Sequence, residues 1–236
     1  MIVYPENWKT IGQPILLSHI ETTIKNTIKK LNIRTLALSG GVDSSLLLFY
    51  MAETFDPRDI ECYTIVESSD HPDYRYSSMI TKLLKISHHK IWQCSVSDQL
   101  PEDLPGDAIV RRFFQLLSLE GVPQIIAGDG IDEFTCGYYD HQKNPTEIMY
   151  FKYLRRLYPD HLLPLNKASG DIKVYLPYLS PQSIALLSQI PMSEKVNVDY
   201  RKLIIRSLAQ GKIPDEIIDR HKYGFCDAMT IKGDKI

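Results

Sequence analysis

Four things are missing from this sequence: paired cysteines, a long apolar run, an excess of either charge, and a linker rich in glycine or serine. Cys62, Cys94, Cys136 and Cys226 are widely spaced and form no C-x-x-C pair. That excludes a dense disulfide framework and a zinc knuckle, and it fits a reducing, cytoplasmic setting in which cysteines act as small buried hydrophobes. No apolar stretch approaches the roughly 20 residues of a membrane span, and the opening MIVYPENWKT is too polar for a signal peptide. Twenty-seven Lys and Arg balance 29 Asp and Glu, leaving a net charge of −2. Neither a nucleic acid nor a membrane surface is therefore an expected partner. At 236 residues, 44% hydrophobic and 24% charged, the chain can bury a sizeable core and shows no composition of disorder.

What is present is an alternation. Leu16, Ile20, Ile24, Ile28 and Leu31 recur at helical spacing, with Ser18 and Glu21 placed for a capping box if the helix begins there. Strand signals follow at 35–38, 60–66, 89–96 and 124–127, with helix signals between them at about 43–54, 74–85 and 107–119. Beyond Tyr139 the pattern predicts helices at 147–157, 181–190, 195–209 and 214–220, with Pro181 and Pro214 at first helical positions. Strands alternating with crossover helices imply an α/β fold: a doubly wound, mostly parallel sheet followed by a C-terminal helical lobe. With no flexible linker, one domain is expected, divided into an α/β core over 15–145 and a lobe over 146–236. Ligands of such sheets bind beyond the carboxyl ends of the strands, where this sequence carries SGGVDSS at 39–45 and GDGIDE at 128–133.

The first string suits phosphate. Gly40 and Gly41 let a ligand approach the main chain just before a helix start, where amide N–H groups and the helix dipole favour an anion, and Ser39, Ser44 and Ser45 add hydroxyls. It matches neither G-x-x-x-x-G-K-[ST] nor G-x-G-x-x-G. Asp43 sits oddly beside a polyanion unless a cation lies between, and Mg²⁺ is the usual bridge. A Gly-Gly turn with Asp43 and Ser44 as helix caps accounts for a short S-G-G just as well; the whole string between strand and helix points to a Mg-nucleotide. Gly128-Asp129-Gly130, by itself, reads equally as a turn.

SGGVDSS resembles the PP-loop of the N-type ATP pyrophosphatases, of the adenine nucleotide alpha hydrolase-like fold. Within that superfamily, AGDGIDEFTCGYYDH at 127–141 is similar to the asparagine synthetase segment G-E-G-A-D-E-L-F-G-G-Y. ISHHKI at 86–91, YLPYLS at 175–180 and RHKYGF at 220–225 resemble the family's L-G-x-x-H-H, R-x-P-F-L-D and R-x-K-x-G-F. The resemblance runs from about Ile15 to Phe225. It implies ATP and Mg²⁺ as cofactors, with Ser39, Gly40, Gly41, Asp43, Ser44, Ser45, Gly128 and Gly130 at the nucleotide and Val66 near the adenine. Asp43 and Asp132 would hold the metal. Lys222 would be the catalytic cation at the α-phosphate, and Asp129 would act on the incoming amine. Tyr138, Tyr139, His141 and Lys202 are weaker candidates for lining the site, whereas His88 and His89 read as structural or solvent-facing.

The implied activity is an AMP-forming amide ligase that adenylates a small-molecule carboxylate and passes it to ammonia or another amine. Residue 2 is Ile, where glutamine-using relatives carry Cys, so the ammonia is expected free or from a separate glutaminase subunit. Asp129 replaces the family's Glu, and Tyr175 and Ser180 stand in place of Arg and Asp. These departures argue against aspartate as the acceptor. Other readings of the same loop are a tRNA-modifying PP-loop enzyme, against which neutral charge and lone cysteines speak, or an ATP-binding subunit without catalysis.

Overall fold

The computed structural model describes residues 16–95, Leu100 and residues 106–220. Five strands, β1 Thr35–Ala37, β2 Glu61–Val66, β3 His88–Gln93, β4 Gln124–Ile126 and β5 Lys173–Tyr175, form one sheet in the order β3-β2-β1-β4-β5. Every neighbouring pair is parallel. The chain order reverses between β1 and β4, the switch point beyond whose carboxyl ends open α/β sheets bind their ligands. This is the expected doubly wound α/β architecture.

The period-two geometry of strands divides the core into two layers. Leu36, Cys62 and Ile126 point into one, and Ala37, Tyr63, Ile65 and Ile125 into the other. The first layer is covered by α1 Leu17–Leu31 and α2 Val42–Thr54, and the second by α4 Asp107–Leu119. In α1, Ile20, Ile24 and Ile28 are fully buried at four-residue spacing. Each such side chain contributes roughly 1.5–3 kcal/mol by leaving water. In α2, Leu46, Leu47, Leu48, Tyr50 and Met51 are all fully buried, as expected of a helix apolar nearly all round. A third helix, α3 Pro72–Leu83, links β2 to β3. No helix of the described residues is long and apolar enough to cross a membrane.

The remaining helices are α5 Ile131–Thr135, α6 Tyr139–Lys143, α7 Glu147–Arg156, α8 Leu163–Ala168, α9 Pro181–Ser188, α10 Met192–Lys195, α11 Leu203–Ala209 and α12 Asp215–Ile218. A π-helical stretch, Leu157–Leu162, joins α7 to α8.

Five expectations are corrected. Helix α1 starts at Leu17, so Ser18 lies inside the first turn and caps nothing, while Leu16 is exposed rather than on the apolar stripe. The C-terminal region is not purely helical, because Lys173-Val174-Tyr175 pairs with β4 as an edge strand too short to display an alternation. The predicted helix over 195–209 forms only over its last residues, as α11, while Lys195 ends α10. Asn197 folds its side chain back to accept from the amides of Asp199 and Tyr200, and Lys202 takes a left-handed φ of 55° before α11 begins. The predicted helix over 214–220 shrinks to α12. Pro214 is extended and precedes it as the cap, whereas Pro181 does occupy the first turn of α9, behind a Ser180 side chain that accepts from Ser183 N at 3.1 Å.

Candidate active site

The chain leaves β1 into Ser39-Gly40-Gly41 and enters α2 at once, with Gly41 as its N-cap. Gly40 has a φ of +67°, and a Cβ there would lie 2.3 Å from the Ser77 amide nitrogen and 2.6 Å from the Tyr76 carbonyl carbon. Both the backbone angle and the contact with α3 demand glycine. Hydroxyls tie the turn to the helix: Ser44 Oγ donates to the Gly41 carbonyl at 3.3 Å, and Ser39 Oγ accepts from Gly41 N at 3.3 Å. From outside, Tyr178 Oη donates to the Asp43 carbonyl at 2.9 Å. Beneath it, Thr64 Oγ1 donates to the Leu38 carbonyl at 2.6 Å and meets His89 Nε2 at 2.9 Å. Burial lowers the His89 pKa to about 4, so the ring is neutral, and the structural reading of this histidine holds. His88 is exposed.

The second loop follows β4. A Cβ on Gly128 would stand 3.7 Å from both Asp43 Cβ and Ser44 N, which places this glycine against the start of α2. Gly130, at φ +85°, packs under Leu179. Asp129 lies between them, partly buried. Asp132, in the first turn of α5, then reaches the same point as Asp43. The Lys202 ammonium joins them, 2.6 Å from Asp132 Oδ1 and hydrogen-bonded to Asp43 Oδ2. Burial alone would lower the pKa of this lysine. The Asp132 and Asp43 carboxylates outweigh it and raise the value, so the ammonium is charged. Gly137 closes the arrangement, since a Cβ there would overlap Asp132 Oδ1 and Lys202 Cε.

Beside this cluster lies a second polar knot. Glu133 is buried and accepts from Tyr138 Oη at 2.7 Å, and Tyr138 stacks on Tyr153 with ring centroids 4.4 Å apart. Burial and the nearby Glu133 raise the Tyr138 phenol above its ordinary range, which keeps it a hydrogen-bond donor. Tyr138 N donates to His141 Nδ1 at 3.3 Å, and the Arg201 guanidinium packs 3.6 Å from the Tyr139 ring centroid while donating to the Gly137 carbonyl at 2.7 Å.

Thus the residues expected at 39–45 and 128–132 meet in one place, from two strand ends. Val66 is fully buried at the end of β2. Lys222 lies outside the described residues. Lys202, a weaker candidate in the sequence, stands at the centre of the cluster, and Asn197-Val198-Asp199 is the turn signal that ends the expected helix before it. Tyr178 and Arg220 enter the sequence reading only as members of YLPYLS and RHKYGF, and Asp73 not at all, because their roles depend on contacts across more than a hundred residues.

Two carboxylates sharing one cation fit a divalent ion whose other ligands are phosphate oxygens. Asp43 Oδ1 and Ser45 Oγ are buried with no hydrogen-bond partner among the described residues, which leaves acceptor and donor capacity at the loop. Among the described residues no three or more His, Cys, Asp or Glu side chains group as a metal site, so a complete protein cage is absent there.

A parallel sheet with a glycine-rich turn and paired carboxylates at its switch point defines a Rossmann-like protein of the PP-loop type. The family model described as asparagine synthase matches residues 29–170 and 140–234, and the chain belongs to the asparagine synthase family. It is similar to a probable glutamine-hydrolyzing asparagine synthetase of Acanthamoeba polyphaga mimivirus, with 27% identity over 219 residues. That match takes in 83% of this chain and 40% of the relative, so the chain spans less than half of the curated relative's length.

Proposed function

We propose that this protein is an ATP-dependent, AMP-forming amide ligase. A substrate carboxylate oxygen attacks the α-phosphorus of ATP, the bond to the bridging oxygen breaks, and pyrophosphate leaves. The resulting acyl-adenylate is opened by an amine, which forms the amide, loses a proton and releases AMP. The observation that carries this reading is the convergence of Asp43 and Asp132 on a single cation above the Ser39-Gly40-Gly41 turn.

The amides of that turn, with the Ser39, Ser44 and Ser45 hydroxyls, hold the pyrophosphate portion. Gly128 and Gly130 let the second loop close against it, and Val66 borders the adenine. Asp43 and Asp132 are the residues that would hold Mg²⁺, which supplies neutralisation of phosphate charge. Lys222 provides positive charge at the α-phosphate as negative charge builds there. Asp129 accepts the proton of the attacking amine, one methylene shorter than the glutamate of the family motif. The catalytic unit is a single domain. Its 15–145 core supplies both loops and its 146–236 lobe completes the site, as Lys202 does when it crosses to Asp43 and Asp132. The amine is ammonia or a larger nucleophile, and a separate glutaminase subunit is the class of partner that would deliver ammonia.

The test is positional. With the protein, MgATP, ammonium and a panel of carboxylates labelled with ¹⁸O, one label must appear in AMP and inorganic pyrophosphate must accumulate. Formation of ADP, or AMP free of label from every carboxylate, defeats the reading.

A further inference from the structure

The amide face of the Ser39-Gly40-Gly41 turn is the one a phosphate would meet, but its carbonyl face is held too. Arg220 Nη1 donates to the Gly40 carbonyl at 3.2 Å and to the Ser39 carbonyl at 3.4 Å. Its Nη2 donates to Asp73 Oδ1 at 2.5 Å, and its central carbon lies 4.9 Å from the Tyr76 ring centroid. The pair is sequestered, with the Arg220 side chain 5% and the Asp73 side chain 12% exposed. Asp73 occupies the first turn of α3, and the same helix abuts Gly40 through Tyr76 and Ser77. The guanidinium is therefore wedged between a helix start and the back of the turn.

In a trans peptide the C=O and the N–H point in opposite directions. The Ser39 carbonyl shares its peptide plane with the Gly40 amide, and the Gly40 carbonyl shares its plane with the Gly41 amide. Holding those two oxygens on one side fixes the two N–H groups on the other. Glycines left to themselves would let both planes rotate. We propose that Arg220, oriented by Asp73, is a positioning residue that locks the peptide planes of the turn so that the Gly40 and Gly41 amides stay on the side away from the guanidinium, where Ser39 Oγ accepts from Gly41 N and a phosphate would be met. A planar fork suits the task, because Nη2 takes the carboxylate and Nη1 the two carbonyls in directions fixed by one plane, whereas an ammonium must reach all three acceptors from one point. The latch deepens the phosphate-binding reading, and its first test rests on that reading.

A control is built into the same segment. Arg206 Nη1 donates to the Ile218 carbonyl at 2.8 Å and its Nη2 pairs with Asp219, so it fastens the chain just before Arg220 without touching the turn. Binding of inorganic pyrophosphate with Mg²⁺ is measured by calorimetry for the wild type, R220K, R220Q and R206Q, beside hydrogen exchange of the peptide covering 38–46. Both Arg220 variants are expected to weaken pyrophosphate by about tenfold or more, and R206Q by no more than about twofold. Exchange at Gly40 and Gly41 should accelerate in the Arg220 variants alone. If R206Q matches R220Q in both measurements, or if R220K and R220Q change neither, the latch is wrong. R220K retains the charge that Asp73 needs, so it serves if R220Q fails to fold. Should the wild type itself ignore pyrophosphate, the proposed function falls, and the exchange comparison still decides the latch.

Discussion

Lys202 and Asp132 are 70 residues apart in sequence and 2.6 Å apart in space, and the same ammonium also bonds Asp43. A buried lysine thus stands between the two carboxylates proposed for the metal. Removing one member of a buried charge cluster leaves the others uncompensated, at a cost of about 3–5 kcal/mol. Lys202→Met should lower the melting temperature for that reason. It should also bind Mn²⁺ more tightly than the wild type when no nucleotide is present, because the ammonium no longer competes for the carboxylates. Thermal melts with and without Mn²⁺, and Mn²⁺ titration by electron paramagnetic resonance, check both. Equal Mn²⁺ affinity in the two proteins would show that the carboxylates and the ammonium do not share one cation position.

Asp43→Asn and Asp132→Asn test the carboxylates directly. Each substitution keeps size and removes charge. Pyrophosphate release should fall by about 10²–10³ or more, the scale of losing one preorganised electrostatic group at a reacting centre. Lys222→Ala should match them in turnover while leaving Mn²⁺ binding intact. A steady-state assay coupled to pyrophosphate reads the first effect, and calorimetry the second. Retention of near wild-type turnover by Asp43→Asn would remove the metal role from that residue.

Tyr178 offers a gentler probe. It is fully buried, and its hydroxyl reaches the Asp43 carbonyl at the start of α2. Tyr178→Phe leaves the ring in place and removes the second hydrogen bond to a carbonyl that already belongs to the α2 ladder, at about 1 kcal/mol. Urea unfolding should show a lower midpoint at unchanged slope. KM for ATP should rise more than kcat falls, since the hydroxyl supports the turn rather than the reacting atoms.

The sheet was legible because its strands and helices follow simple periods. Ile20, Ile24 and Ile28 declare α1, and the apolar LLLFYM run declares a helix packed on all sides. Both loops were legible as full strings at strand ends; a short S-G-G or Gly128-Asp129-Gly130 alone reads equally as a turn. The rest was not, for physical reasons. The edge strand 173–175 is shorter than one full alternation. The place of Lys202 between Asp43 and Asp132 depends on the side-chain turn at Asn197 and on its own left-handed φ, which no period announces. Arg220 and Asp73 meet across 147 residues, and no local pattern marks such a pair.

His89 gives a prediction in pH. Its ring is held between Thr64 Oγ1 at 2.9 Å and Thr81 Oγ1 at 3.1 Å, and Thr64 also donates to the Leu38 carbonyl. Burial lowers the folded pKa to about 4, against about 6.5 for an exposed histidine. Between those values the unfolded chain binds a proton that the folded one refuses. The stability is therefore whole above about pH 6.5 and is lost as pH falls towards 4. His89→Gln keeps donor and acceptor atoms but cannot titrate, so its unfolding free energy should decline less steeply across that window. Because Thr64 also holds the carbonyl just before Ser39, acid should loosen the turn in the wild type first. Urea unfolding at half-unit pH steps for both proteins decides it: parallel curves between pH 6.5 and 4 would show that His89 carries no part of the acid sensitivity.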